Sequence, residues 1–365
     1  MKIYGKIAVL TVSLLFFGAA LFASKASKAQ PLMSNFDRQA VVLPTPPPTQ
    51  TPEIEEEEVL KIDTELVNIL FTAQDKDRRL LTTLKQEDVR ILEDGVPQEI
   101  SAFQRQTDLP LSISILIDTS VSQERTLPYL KEAAKSFIEN VVRPEKDEVS
   151  VLTFTGETTL EQDLTGNIAR LRRAVDRVRY VPPAGTASGV LIGTPPISGG
   201  NQRAAGSTAI WDAIWITSNE VLGKAPERTR RVIILLTDGI NTYGSKKPED
   251  AVQEAIRNDA IIYAVGIGDQ YYGGVDESAL RKITERTGGR AFIPRDDEGE
   301  LRRAFAQIET EMRSQYLIAY EPTNAKRDGS YRKIEIQLVN PELSRQKVKL
   351  TYKQGYFSKN DVQKK

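Results

Sequence analysis

Three observations predict the fold of this chain: an α/β, doubly wound, mainly parallel sheet with helices on both faces, carrying a small β-sandwich-like module. From Pro110 to about Arg313, strands alternate with helical patterns, the order that builds a parallel sheet through crossover helices. The strands in this stretch are near-continuous runs of Val, Ile and Leu, as expected where both faces of a sheet are covered. The segments on either side alternate apolar and polar residues instead, which marks half-buried strands.

The elements follow in chain order. MKIYGKIAVLTVSLLFFGAALFASKASKAQ has Lys2 and Lys6 ahead of an apolar run from Ile7 to about Ala23, and Ser27-Lys28-Ala29 fits a small-x-small cleavage site. Residues 1–29 therefore read as an export signal cleaved near Ala29. The alternative is an uncleaved anchor, because the run is nearly long enough to span a bilayer. Either way the remainder is expected outside the cytoplasm, secreted, periplasmic or at the cell surface. Residues 30–58 include PTPPPTQTPEIEEEE, a proline-rich and then acidic spacer.

Residues 59–109 begin with VLKIDTELVNILFTA, one long strand, and continue with EDVRILEDGVPQEISAF, two strands across a turn at Asp94-Gly95. Residues 314–358 supply SQYLIAYEP, YRKIEIQLVN and QKVKLTYKQGYF, with a further turn at Asp328-Gly329, and 359–365 form a tail. About three strands are marginal for independent stability. The two flanks are therefore expected to pair as one module, with residues 110–313 inserted between them. Within that insert the strands are LSISILID, EVSVLTFT, RVIILLTDG, AIIYAVGIG and a short AFIP. The helical patterns are YLKEAAKSFIENVV, NIARLRRAVDRV, TAIWDAIWITSNEVL, PEDAVQEAIRNDA, ESALRKITERTG and EGELRRAFAQIETEM.

Composition removes several functions. Lys plus Arg total 49 and Asp plus Glu total 50, a formal charge of −1, and no basic stripe with interleaved aromatics argues for nucleic acid. The chain has no cysteine and no histidine. It therefore lacks disulfides, thiolate chemistry, the commonest general base and the commonest transition-metal ligand. Any site must use oxygen ligands, amines or backbone groups.

One apolar strand ends abruptly in such ligands. LSISILIDTSVSQERT runs out into Asp118, Ser120 and Ser122. RVIILLTDG ends in Asp238-Gly239, and Gly206-Ser207-Thr208 precedes a helix. Open α/β sheets bind ligands at the carboxyl ends of their strands. Two carboxylates with hydroxyl oxygens select a hard cation, Mg²⁺, Mn²⁺ or Ca²⁺. Read singly, each residue also fits an ordinary role: Asp118 a turn, Ser120 and Ser122 loop hydroxyls, Ser207 or Thr208 a helix cap, Asp238-Gly239 a turn.

The set DTSVS, GSTAIWDAI and LLTDG resembles the metal-ion-dependent adhesion site of von Willebrand factor type A domains, over roughly Leu111 to Arg313. That resemblance implies a Rossmann-like doubly wound fold and one Mg²⁺ held by Asp118, Ser120, Ser122, Thr208 and Asp238. It implies direct coordination by the serines, water-mediated coordination by the aspartates, and a threonine contact that depends on state. It also implies a protein partner whose acidic side chain completes the coordination. EDVRILEDGVPQEISAF, QYLIAYEPT and KQGYF resemble, less specifically, exported bacterial proteins that carry such a domain between β flanks.

Several further residues stay open. Asp212, one turn after Thr208, faces either the site or solvent. Glu124 and Arg125 do not match the acidic pairs of an adjacent calcium site, so no second metal is expected there. The Gly/Pro-rich stretch from Pro182 to Ala205 is longer than such domains commonly use, and it offers Thr186 as a rival to Thr208.

The leading expectation is an exported, non-enzymatic protein that binds a protein partner through Mg²⁺ (or Mn²⁺ or Ca²⁺), for adhesion or envelope assembly. No nucleic acid is expected, and membrane contact only through an uncleaved N-terminal anchor. The enzymatic alternative is a metal-dependent, phosphatase-like hydrolase. The aspartyl-phosphate motif DxDx[TV], however, needs a second acid where Ser120 stands. Ser245 with Lys246 or Lys247 is a weak nucleophile pair, and Gly266-Ile267-Gly268 lacks the rest of a dinucleotide fingerprint. A structural scaffold with a stabilising metal is the third reading.

Overall fold

The computed structural model describes residues 66–182, 186–187, 190–191, 206–295 and 298–360. The expected signal, the spacer, the first part of the long strand from Val59, most of the Pro182–Ala205 stretch and the extreme tail lie outside the described residues. In chain order the first flank forms β1 (Val67–Gln74), β2 (Val89–Glu93), β3 (Val96–Gln98) and β4 (Ile100–Gln106). The α/β part follows with β5 (Leu111–Asp118), α1 (Leu127–Val141), β6 (Glu148–Phe154), β7 (Thr158–Thr165) and α2 (Ile168–Arg177). Two two-residue strands, β8 (Thr186–Ala187) and β9 (Val190–Leu191), precede α3 (Ile210–Ile216) and β10 (Arg230–Thr237). Then come α4 (Pro248–Arg257), β11 (Ala260–Gly266), α5 (Glu277–Arg286), β12 (Ala291–Phe292) and α6 (Glu298–Arg313). The second flank supplies β13 (Gln315–Tyr320), β14 (Tyr331–Leu338), α7 (Pro341–Arg345), β15 (Lys349–Tyr352) and β16 (Gly355–Phe357).

The central six-stranded sheet has the order β12-β11-β10-β5-β6-β7. Every pairing in it is parallel except β6 with β7. Helices cover both faces, as the apolar strands require. Ile113 and Ile115 of β5 pack with α1, α2 and α6, while Leu116 packs with α3, α4 and α5. β5 leads through α1 to β6 on one side, and β10 leads through α4 to β11 on the other. The carboxyl ends of β5 and β10 are thus the topological switch point, where such sheets open a crevice.

β7 was not evident in the sequence. Its residues are intermediate or exposed along the edge of the sheet, so no apolar alternation announces it.

The flanks pair with each other. One antiparallel sheet has the order β15-β1-β13-β4 and the other β16-β14-β2-β3. Each combines strands from before and after the α/β part. Ile69, Phe71, Ile91, Tyr316, Ile318 and Ile334 share one core between them. The Asp94-Gly95 turn joins β2 to β3 with both residues at positive φ, 48° and 83°, as a two-residue hairpin requires. QKVKLTYKQGYF divides into β15 and β16, which belong to different sheets. The split falls at Gly355, where a Cβ would lie 2.4 Å from the Arg332 carbonyl oxygen and 2.3 Å from the Tyr331 hydroxyl.

A buried polar group crosses this core. Glu93 accepts from Arg332 Nη1 at 2.9 Å, Tyr320 Oη at 2.7 Å and Tyr356 Oη at 2.9 Å. A second set ties the module to the α/β part. Gln74 Nε2 donates to Glu311 Oε1 at 2.7 Å, and Arg290 pairs with the same carboxylate at 2.6 Å.

Candidate metal centre

β5 carries Asp118 to the rim of the crevice and buries it completely. Its Oδ1 accepts from the Ser120 amide at 2.9 Å, an Asx turn that bends the chain out of the strand. Its Oδ2 accepts from Thr237 Oγ1 at 2.6 Å. Thr237 went unnoticed in the sequence. The register that sets Leu236 beside Ile117 brings it alongside Asp118, and a lone hydroxyl ending an aliphatic strand was the available signal. The same turn brings the Ser120 and Ser122 hydroxyls to 3.2 Å from each other, with Ser120 buried and Ser122 half-buried.

Asp238 is buried at the end of β10. Its Oδ1 accepts from the Ile240 amide at 2.9 Å. Its Oδ2 is buried and has no hydrogen-bond partner, an arrangement that ordinarily calls for an unseen ligand. Burial holds its pKa above the usual carboxylate value, with the nearby Ser122 and Gln123 side chains and the Ile240 amide opposing the shift. Burial, reinforced by the Asp238 charge, pushes Asp118 up to about 7 against hydrogen bonds from Ser120 and Thr237. Two carboxylates share one buried rim, and among the described residues no Lys or Arg forms an ion pair with either of them.

Thr208 is buried and clamped by the loop after β10. Its carbonyl accepts from the Thr242 and Tyr243 amides at 2.9 and 3.0 Å, and its amide donates to Thr242 Oγ1 at 2.9 Å. The following Ala209 amide donates to the Thr155 carbonyl at 2.7 Å, and Gly206 accepts from Val121 at 3.2 Å. The DTSVS loop, the loop before α3 and the loop after β10 are thus knitted at one rim. The side chain of Thr186 lies outside the described residues.

Gln123, also unnoticed in the sequence, is buried and donates to the Ile267 carbonyl at 3.2 Å, fixing the DTSVS loop against the end of β11. Gly268 lies against the site: a Cβ there would stand 2.9 Å from Asp238 Cβ and 2.5 Å from the Gly274 carbonyl. Gly268→Ala is therefore expected to displace Asp238 and weaken cation affinity, read by isothermal titration. Unchanged affinity would show that the rim tolerates the shift.

The remaining candidates have other partners. Asp212 accepts from the Ser245 amide and hydroxyl and from the Lys246 amide, bracing the loop that contains Gly244 at φ 115°. Ser245 Oγ is thereby committed to Asp212, and Lys246 Nζ sits 4.2 Å from the Trp215 ring centre. Arg125 pairs with Asp269 at 3.3 Å. Among the described residues, no three His, Cys, Asp or Glu side chains gather as a metal cluster. A donor set here therefore rests on two carboxylates and hydroxyls. The all-oxygen chemistry and the orphaned Asp238 oxygen fit a hard divalent ion.

The chain carries a von Willebrand factor type A domain: the family model of that description matches residues 197–307. The matched segment contains Thr208 and Asp238 and begins after the DTSVS loop. No curated protein matches the sequence. Similarities to solved structures are partial. A von Willebrand factor type A protein from Catenulispora acidiphila is 16% identical, over 82% of this chain and 76% of its own, with a TM-score of 0.43. Proximal thread matrix protein 1 from the mussel byssus is 22% identical over 60% of this chain, which spans about half (51%) of it, with a TM-score of 0.45. BatB from Bacteroides thetaiotaomicron, described as a conserved hypothetical protein, is 16% identical over 55% of this chain and 98% of its own, at 0.41.

Proposed function

We propose that this chain is an exported, non-enzymatic binding protein whose type A domain engages an acidic side chain of a protein partner through a divalent cation of the Mg²⁺ class. The observation that carries the reading is the buried, unpartnered Oδ2 of Asp238 beside the buried carboxylate of Asp118. Left without a cation, two such groups oppose each other's ionisation. Ser120, Ser122, Thr208, Asp118 and Asp238 would hold the ion. A bound divalent cation supplies a positive centre able to accept a carboxylate oxygen from outside. Thr237 and the Ser120 amide hold Asp118 in place from below. Gln123 and the clamp around Thr208 keep the loops in register.

Export rests on the signal-like residues 1–29. Among the described residues no helix is long and apolar enough to cross a membrane. Catalysis is the weaker reading, because Ser245 and Lys246 are committed elsewhere and Ser120 stands where a second acid would be needed.

The test is retention of envelope proteins on the immobilised chain in Mg²⁺. A partner released by EDTA, and lost with Thr208→Ala when the cation still binds, is the expected result. Retention indifferent to EDTA would overturn the reading and leave a scaffold with a stabilising metal. Replacing Pro182 to Ala205 by a short Gly linker is expected to cost little stability and to change the affinity of that partner. Equal affinities would make the stretch a passive insertion.

A further inference from the structure

At the opposite end of the same sheet, Arg230 begins β10. It is 4% exposed, and its Nε and Nη2 are both buried and unbonded. Burial draws the Arg230 pKa down to about 10, with Tyr263 opposing the shift and the charge of Arg313 adding to it. An arginine buried without a counter-charge carries a large desolvation penalty.

Arg230 also lines a cavity of about 430 Å³ between the amino-terminal end of the parallel sheet and the outer face of the β15-β1-β13-β4 sheet. That volume lies within the range of small-molecule sites, roughly 300–1,000 Å³. Leu70, Leu109, Ile261 and Leu317 supply its apolar walls. The other charges around it are spoken for or exposed. Lys353 pairs with Asp259 at 2.6 Å, Arg231 donates to the Asn258 and Ala225 carbonyls, and Glu227 and Arg228 are exposed.

We infer that this cavity binds a small carboxylate with an apolar body, its carboxylate drawn to the Arg230 guanidinium and its body against the four aliphatic side chains. The site is independent of the cation rim at the other end of the sheet. The same chemistry is offered by a free organic acid and by the terminal carboxylate of a peptide ending in an aliphatic residue.

The experiment titrates the full chain with hexanoate and 4-phenylbutyrate, by calorimetry and thermal shift in EDTA. Hexanol and chloride are the controls, and a short Leu-terminated peptide is compared with its amide. Saturable binding of the acids or of the free peptide, with neither control binding, is expected, and the arm that binds more tightly identifies the source. Binding should be weaker to Arg230→Lys, which keeps the charge but loses the planar guanidinium. It should be absent in Arg230→Met. Without ligand, Arg230→Met should melt roughly 2–4 °C higher, because an unpaired buried charge is gone. No binding by any acid, equal binding of hexanol or chloride, undiminished binding to Arg230→Met, or a lower melting temperature for that variant would each overturn the inference.

Discussion

Asp118→Ala is expected to erase the stabilisation that Mg²⁺ or Mn²⁺ gives the chain while leaving the parallel sheet folded. A ligand that binds only the native state stabilises it by about 2.7 kcal/mol at a hundredfold excess over Kd. The wild-type chain should therefore melt higher with the cation, and EDTA should reverse the shift. Asp118 sits at the end of β5, so its removal leaves Ile113, Ile115 and Leu116 packed as before. It also relieves the crowding of two buried carboxylates, so the cation-free variant should be no less stable than the cation-free wild type. Ser120→Ala and Asp238→Ala should weaken the response in the same direction. Differential scanning calorimetry with and without the cation decides it, and a full response in Asp118→Ala would remove that residue from the site.

The second large effect is expected far from the rim, in the β module. Glu93→Ala should destabilise that module by about 3–5 kcal/mol, the usual result of leaving one member of a buried ion pair alone. Arg332 is 2% exposed and would lose its carboxylate partner, while Tyr320 and Tyr356 would lose their acceptor. Glu93, Arg332 and Tyr356 belong to the β16-β14-β2-β3 sheet and Tyr320 to the other, so the damage should reach both sheets. Joint replacement by Leu at 93 and Met at 332 should recover much of the loss, because a buried pair exchanged for apolar groups is often near neutral. Urea unfolding followed by hydrogen exchange of the module's strand amides reads this directly. A single Glu93→Ala chain as stable as wild type would mean that water satisfies Arg332.

The strands of the parallel sheet were legible because both faces are covered, and continuous Val, Ile and Leu runs have few other readings. The Asp94-Gly95 turn was legible for a chemical reason, since both positions need positive φ. Pairing in the flanks was only partly so. Alternation in VNILFTA or YRKIEIQL says which face is buried but not which strand lies alongside. The partition of β15 and β16 between two sheets therefore depends on contacts such as Gly355 against Arg332.

At the rim, Asp118, Ser120, Ser122 and Asp238 stood out as polar residues ending apolar strands. Their supports did not. Thr237 and Gln123 act through partners 119 and 144 residues away in sequence. Asp212, read as facing either the site or solvent, instead braces the Ser245–Lys246 loop. Nothing in the sequence singled out Arg230, whose burial at the start of β10 comes only with the fold.

The central claim is the cation at the β5–β10 switch point, and the most direct measurement is anomalous diffraction from crystals grown with Mn²⁺. The expected result is one strong peak at the rim, with the Ser120 and Ser122 hydroxyls in direct contact at roughly 2.0–2.2 Å, the distance hard divalent ions of this size demand. The Asp238 Oδ2 should then be engaged, directly or through water. A crystal saturated with Mn²⁺ that shows no peak within reach of these hydroxyls, or a peak bound elsewhere with Asp238 Oδ2 still unpartnered, would contradict it.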